Sequence, residues 1–369
     1  MLTKIKAFIQ KETVLFIAAL CAVLTLFLVP PDVEYLHYID FRVLCLLLCL
    51  MAVVAGFKNV GAFRWLTYQL LCRIRDGRLL SITLVLLPFF CSMLVTNDVA
   101  LLVFVPFTLA LLAQLGCTKH IIPVIVLQTV AANLGSMATP VGNPQNLYLY
   151  AAFNLSAAEF FSVVLPLTAL SLVSLIAAAL PVLPKHLPEQ DLTDEKISSN
   201  RNLLIYGLLF VLCLLTVFRV VNYPVTTAIV VLVLLVLDRK LLKEIDFMLL
   251  LTFVCFFIVS ENLGRVEAVR AFLQQLLNEN TLLTAVGASQ IISNVPAAVL
   301  LSGFTDSWKL LLSGVNIGGL GTPIASLASL ITLKLYMRWP GANVGRFMAI
   351  FLVANVVGLI ILLSFSMLF

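Results

Sequence analysis

The sequence predicts an all-α polytopic membrane protein: an inverted repeat with two re-entrant hairpins and two broken transmembrane helices. Three observations carry this. Hydrophobic residues make up 62% of the chain and charged residues 11%, against roughly 45–50% and about 25% in soluble domains. Apolar runs recur from end to end, and about 20 such residues span a bilayer. The second half of the chain then repeats the first, feature by feature.

Charged boundaries and apolar length set the elements in order. The basic then apolar start of the chain reads as a first spanning helix over about 13–30, because the run is long and no small-residue cleavage site follows. A second span covers about 41–57, and a polar, basic, amphipathic stretch about 58–78. Two short apolar arms, about 79–95 and 98–115, meet at "TND". The third span, about 121–152, is broken at "NLGSMATPVGNP", because Gly and Pro do not let a helix run through. A fourth follows at about 158–183. The longest polar stretch, "LPKHLPEQDLTDEKISSNRN", makes 184–202 a connector. Spans at about 203–219, 224–237 and 246–260 come next, then an amphipathic stretch over about 262–280. Short arms at about 281–292 and 296–304 meet at "SNVP". A span over about 308–337 is broken at "NIGGLGTP", and the last covers about 343–369.

"IDF" opens the second span at Ile39–Phe41 and recurs at Ile245–Phe247. The broken segments align as N-[LI]-G-x-x-x-T-P-[VI], from Asn133 and from Asn316. The repeats therefore cover 1–183 and 203–369. With the N-terminus inside and hairpins that do not cross, 18 of the 23 Lys and Arg residues fall on the cytoplasmic side, as the positive-inside rule requires. The two repeats then run in opposite directions, and the C-terminus is external, in the cytoplasmic membrane.

Inverted repeats with interrupted helices are a signature of secondary transporters, with the site near the midplane. Unwound backbone at that depth survives only where protein or a water-filled cavity satisfies it. Half-helix N-termini attract anions, while carbonyls and short polar side chains suit a cation. The candidate binding residues are Thr96, Asn97 and Asp98 at the first tip and Asn133, Gly135, Thr139, Gly142, Asn143 and Asn146 at the first break. Ser293 and Asn294 supply the second tip, and Asn316, Gly318, Thr322 and Ser326 the second break. Asp98 stands out, since a carboxylate at membrane depth costs roughly 2.5–3.5 kcal/mol on insertion scales. Asn97 and Asp98 also suit capping of the arm they begin. A Na⁺ site is expected at Asn97, Asp98 and Asn294.

Other classes lack their residues. No HExxH, His cluster or phosphate-cradling Gly loop is present, so an enzyme is not expected, nor any cofactor beyond a coupling Na⁺ or H⁺. The eight cysteines form no CxxC. The net charge of +5 lies in short loops without aromatic interleaving, so the partners expected are the bilayer and a small anionic solute rather than nucleic acid.

"TNDVALLVFVPF" with "NLGSMATPVGNPQNL", and "SNVPAAVLL" with "NIGGLGTPIASLASL", resemble the ion transporter superfamily. That group holds arsenite permeases, citrate transporters, sodium-coupled dicarboxylate symporters and sodium/proton antiporters. The likeness covers nearly the whole chain and is nearest the small bacterial anion permeases. It implies an elevator mechanism in a homodimer, with the tips holding cation and substrate. Dicarboxylate symporters carry Ser-Asn-Thr at both tips; here the first is Thr96-Asn97-Asp98 and the second Ser293-Asn294-Val295. The function expected is secondary active transport of a small anion, an inorganic oxyanion or a carboxylate, coupled to Na⁺ or H⁺. The alternative is a Na⁺/H⁺-type cation antiporter using Asp98.

Overall fold

The computed structural model describes residues 13–71, 74, 76–186 and 196–368. Lys4, Lys6, Lys11, Arg73 and Arg75, five of the basic residues counted on the cytoplasmic side, and residues 187–195 of the connector lie outside them. Among the described residues the protein is helical, with no strand. In chain order the helices are α1 (Thr13–Leu26), α2 (Phe41–Asn59), α3 (Ala62–Leu71), α4 (Gly77–Cys91), α5 (Asn97–Gln114), α6 (Ile121–Ser136), α7 (Pro144–Ala152) and α8 (Ala157–Ala179). They continue as α9 (Asn200–Val217), α10 (Tyr223–Leu237), α11 (Phe247–Arg265), α12 (Glu267–Ile292), α13 (Asn294–Ser302), α14 (Trp308–Ile317), α15 (Leu327–Met337) and α16 (Val344–Ser366).

Six of these, α2, α5, α8, α9, α11 and α16, are long and apolar enough to cross a membrane. Large apolar side chains such as Phe16, Leu204, Val353 and Ile360 stand on the outside of the bundle, a surface suited to lipid rather than water. Polar residues mark the starts. Each "IDF" aspartate is an N-cap: Asp40 accepts from the Val43 N–H at 3.0 Å and Asp246 from the Leu249 N–H at 2.9 Å. At the far end of α11, Arg265 pairs with Asp32 at 2.7 Å and holds that carboxyl below its ordinary range.

Packing is reciprocal. The pair α4 and α5 packs on α6, and the pair α12 and α13 packs on α14. The second piece of each broken segment crosses over: α7 lies against α13, and α15 against α5. The outer helices do the same, α1 against α11 and α9 and α10 against α2.

The arm after the first tip, placed at about 98–115, is α5; its 18 residues make it long enough to cross a membrane rather than short. The second amphipathic stretch and the arm after it separate at Asn280, the boundary expected: its φ of −160° and ψ of 91° interrupt α12. The Asn280 side chain accepts from the Leu283 N–H at 2.9 Å and so acts as a cap that restarts the helix. The helices also run through the asparagines that open each break motif. α6 continues to Ser136 and α14 to Ile317, so the unwound backbone is 137–143 and 318–326.

Candidate functional site

The two tips and two breaks meet in a buried polar network. At the first tip, Thr96 is the N-cap of α5 but makes no side-chain cap bond. Asn97 is buried. Its amide donates to Asn133 Oδ1 at 2.9 Å, and its own oxygen accepts from the Asp98 N–H at 3.0 Å. Asn133 Oδ1 also accepts from the Ser326 hydroxyl at 3.0 Å, so one oxygen joins the first tip, the first break and the second break. The Asn133 amide nitrogen is buried with no partner.

The other break asparagine is held in the mirrored way. Asn143, ten residues after Asn133, donates to Asn316 Oδ1 at 3.4 Å, just as Ser326, ten residues after Asn316, donates to Asn133. The Asn316 amide donates to Asn146 Oδ1 at 2.7 Å. Asn143 also caps α7, accepting from the Asn146 N–H at 2.9 Å. The Asn146 amide closes the unwound backbone by donating to the carbonyls of Met137 (3.0 Å) and Thr139 (3.2 Å).

The threonines tie each break to its own tip. Thr139 donates to the Met93 carbonyl and Thr322 to the Gln290 carbonyl; both acceptors lie four residues before a tip asparagine. The glycines allow this approach. A Cβ on Gly135 would sit 2.0 Å from the Phe89 carbonyl oxygen and 2.7 Å from Ser92 Oγ; one on Gly318 would sit 2.7 Å from Ser289 Oγ. Gly142 passes equally close to the Ser136 carbonyl, 2.2 Å from where its Cβ would stand.

The second tip is built from backbone. Ser293 has φ +75°, a left-handed conformation rare for a residue with a side chain. It is held by the Ala325 carbonyl, which accepts from the Ser293 hydroxyl (3.2 Å) and the Asn294 N–H (3.0 Å). The Asn294 amide lies over Gly319, 2.8 Å from where a Cβ would stand. Asn97 and Asn294 make no direct hydrogen bond; Asn133, Ser326 and Ala325 connect them. Sequence reasoning missed Gln290. Its side chain donates to the carbonyls of Gly318 and Leu320, both at 2.9 Å, and accepts from the Thr322 N–H at 2.8 Å. A glutamine in an apolar arm, "GASQIISN", was the signal available.

Asp98 turns away from the network. With Thr96 it lines a cavity of about 270 Å³ whose other walls include Lys58, Pro144, Glu244 and Asp246. Its Oδ1 is buried without a hydrogen-bond partner. Among the described residues no group of three or more His, Cys, Asp or Glu side chains is arranged to hold a metal ion.

The citrate transporter family matches residues 2–307. An uncharacterized transporter of Methanocaldococcus jannaschii is 34% identical over 360 residues, covering 96% of this chain and 97% of that one. The inner membrane protein YbiR of Escherichia coli is 31% identical over 80% of each chain. A silicon efflux transporter of rice is 36% identical over 128 residues, 35% of this chain and 26% of its own. Among solved structures, the YdaH transporter of Alcanivorax borkumensis shares the fold, with a TM-score of 0.59 at 15% identity over 89% of this chain and 86% of that one.

Proposed function

The chain belongs to the citrate transporter family, and from that premise we propose that this membrane transporter is a secondary carrier of a small anion, an inorganic oxyanion or a carboxylate, coupled to Na⁺ or H⁺. The observation that carries the reading is the reciprocal network at the breaks. Three helices, α5, α13 and α15, begin there without a side-chain cap bond. The Asp98 N–H is taken by Asn97 and the Asn294 N–H by the Ala325 carbonyl; the other first-turn N–H groups carry partial positive charge that an anion can use. The unpartnered Asn133 amide adds a donor. Neutral donors, with no buried Arg among the described residues, suit a small anion held by amide and hydroxyl groups.

The reading extends to architecture. Reciprocal packing and matched bonds support two inverted repeats, 1–183 and 203–369, with re-entrant hairpins at α4–α5 and α12–α13. The outer helices α1, α2, α9, α10 and α11 would be the static part of an elevator in a homodimer, with the N-terminus cytoplasmic and the C-terminus external. A second reading has its own support. The free Asp98 oxygen and three carboxylates around one lysine favour a cation in the adjoining cavity. That cavity would serve a coupling ion in a symporter or the cargo in a Na⁺/H⁺-type antiporter.

Proteoliposomes test this. Under an inward Na⁺ or H⁺ gradient, one of a panel of labelled carboxylates and oxyanions should accumulate and saturate. In Asp98→Asn its uptake should lose dependence on the coupling ion. Na⁺-dependent proton movement without any anion would establish the antiporter instead. Anion flux that neither saturates nor accumulates would reject a carrier.

A further inference from the structure

Two cavities lie at opposite ends of the seam between α2 and α11. One holds Lys58, from the end of α2, with Asp246, from the start of α11. The other, about 290 Å³, holds Asp40, from the start of α2, with Glu261, near the end of α11. α2 is 19 residues long, so about 28 Å of helix separates them. Each "IDF" aspartate therefore lines one of the two. Only the first cavity has a buried carboxylate oxygen without a partner among its walls, that of Asp98. Asp246, Glu244 and Lys58 are exposed at its rim.

We propose that this cavity is the cation vestibule of the transporter, and that Asp246 is a second ion-binding carboxylate, set at its mouth, that draws a small monovalent cation to Asp98. The inference rests on the reading of Asp98 as the ion-sensing residue and adds a partner from another part of the fold. Asp98 has no hydrogen-bond donor of its own, so its charge needs a cation or a proton. Asp246 and Glu244 outweigh Lys58 at the rim, and a rim of one sign at the mouth of an apolar pocket concentrates the opposite charge. In the elevator proposed above, the two carboxylates would belong to different bodies. Asp98 rides on the hairpin tied to both breaks, and Asp246 caps α11, which packs on α1. A cation between them would favour the position in which the tip faces α11, linking ion occupancy to the movement of the tip.

Asp246→Asn separates charge from structure, because Asn caps a helix as well as Asp does and the bond from the Leu249 N–H can persist. Asp40→Asn makes the same change at the matched cap facing the other cavity. Purified wild type, Asp246→Asn, Asp40→Asn and Asp98→Asn would be followed by thermal unfolding in two titrations. One raises NaCl against choline chloride at constant ionic strength and pH 8; the other lowers pH in choline chloride alone. Wild type should be stabilised with a saturable midpoint in one of them. In Asp246→Asn that midpoint should move about three- to tenfold, to higher Na⁺ or to lower pH, because a partly screened charge has gone. Asp40→Asn should titrate like wild type, and Asp98→Asn should lose the midpoint. An unmoved midpoint in Asp246→Asn, or an equal shift in Asp40→Asn, would overturn the vestibule. Anion transport that still responds to Asp98→Asn would leave the proposed function standing in that event. Loss of the midpoint in Asp98→Asn alone, with no anion accumulated by wild type, would point to failure of the anion reading instead.

Discussion

The two tips sit on the same frame and end differently. In each half a serine five residues before the tip asparagine, Ser92 or Ser289, faces the glycine two residues after the break asparagine. In each half a threonine ties the break to a carbonyl four residues before the tip. In each half the residue ten after the break asparagine donates to the asparagine of the other break. The tips then diverge. The first hydrogen bonds through its Asn97 side chain and places a carboxylate beside it. The second hydrogen bonds through the Asn294 backbone N–H and the hydroxyl of Ser293, which is in the left-handed region, and places Val295 where the first has Asp98. The halves agree where they hold each other and differ where a ligand would touch them. A frame shared between the two halves can tolerate unlike tips, so one tip can carry the charge.

The frame should break unequally. An alanine at Gly135 meets backbone, the Phe89 carbonyl oxygen at 2.0 Å, which cannot move without displacing α4. An alanine at Gly318 meets the Ser289 Cβ and Oγ at 2.7 Å and the Gly314 carbonyl oxygen at 2.8 Å; only the hydroxyl can turn away, but each of these clashes is milder than the one at Gly135. Gly135→Ala should lose about 3 kcal/mol or more, or fail to fold, while Gly318→Ala should lose about 1–2 kcal/mol. Detergent-solubilised thermal unfolding and the yield of monodisperse protein measure both. Equal losses would mean that the two close approaches are alike.

Which of these features could be read in the sequence follows from their physics. The breaks and tips were legible because Gly, Pro and Asn cannot be hidden inside apolar runs. The caps were legible in part, since Asp40 and Asp246 stand in a repeated "IDF" at helix starts. The length of α5 was legible from its apolar run, but not its first residue, since Asn97 was read as part of the tip and lies in the first turn. The boundary at Asn280 was legible as the end of the amphipathic stretch, but its cap bond from the Leu283 N–H was not, because an asparagine there looks like any polar residue of the stretch. The exchange between Asn143 and Asn316 depends on how the halves face each other, and the sequence holds only the equal spacing that permits it.

A smaller contrast concerns the tip asparagines. Asn97→Ala removes an acceptor from the part-buried Asp98 N–H and a donor from the buried Asn133, and should cost about 1–3 kcal/mol of stability. The Asn294 side chain has only a long contact from the Ser293 hydroxyl at 3.5 Å, so Asn294→Ala should cost under about 1 kcal/mol. If both amides touch the same solute, each change should still raise KM for transport, and the double change should fall short of the product of the two. Unfolding and uptake kinetics on the same preparations separate the two roles. Full additivity in KM would place the asparagines at different ligands.

The smallest effect is expected at Ser329, and it tests whether matched positions do matched work. Ser329 stands thirteen residues after Asn316, as Asn146 stands thirteen after Asn133. Asn146 is saturated, accepting from Asn316 and donating to two carbonyls. Ser329 is 1% exposed and its hydroxyl has no partner. A buried hydroxyl without a bond is desolvated for nothing, so its removal relieves a cost instead of creating one. The hole left by one oxygen atom offsets part of that gain. Ser329→Ala should therefore change stability by no more than about 0.5 kcal/mol in either direction, with thermal unfolding in the absence of solute as the measure. The same variant should be compared in saturating solute and coupling ion. A loss of ligand-induced stabilisation there, with the free protein unchanged, would give the hydroxyl a partner that arrives with the ligand. The second break would then join the first as a binding surface rather than a mirror of its architecture.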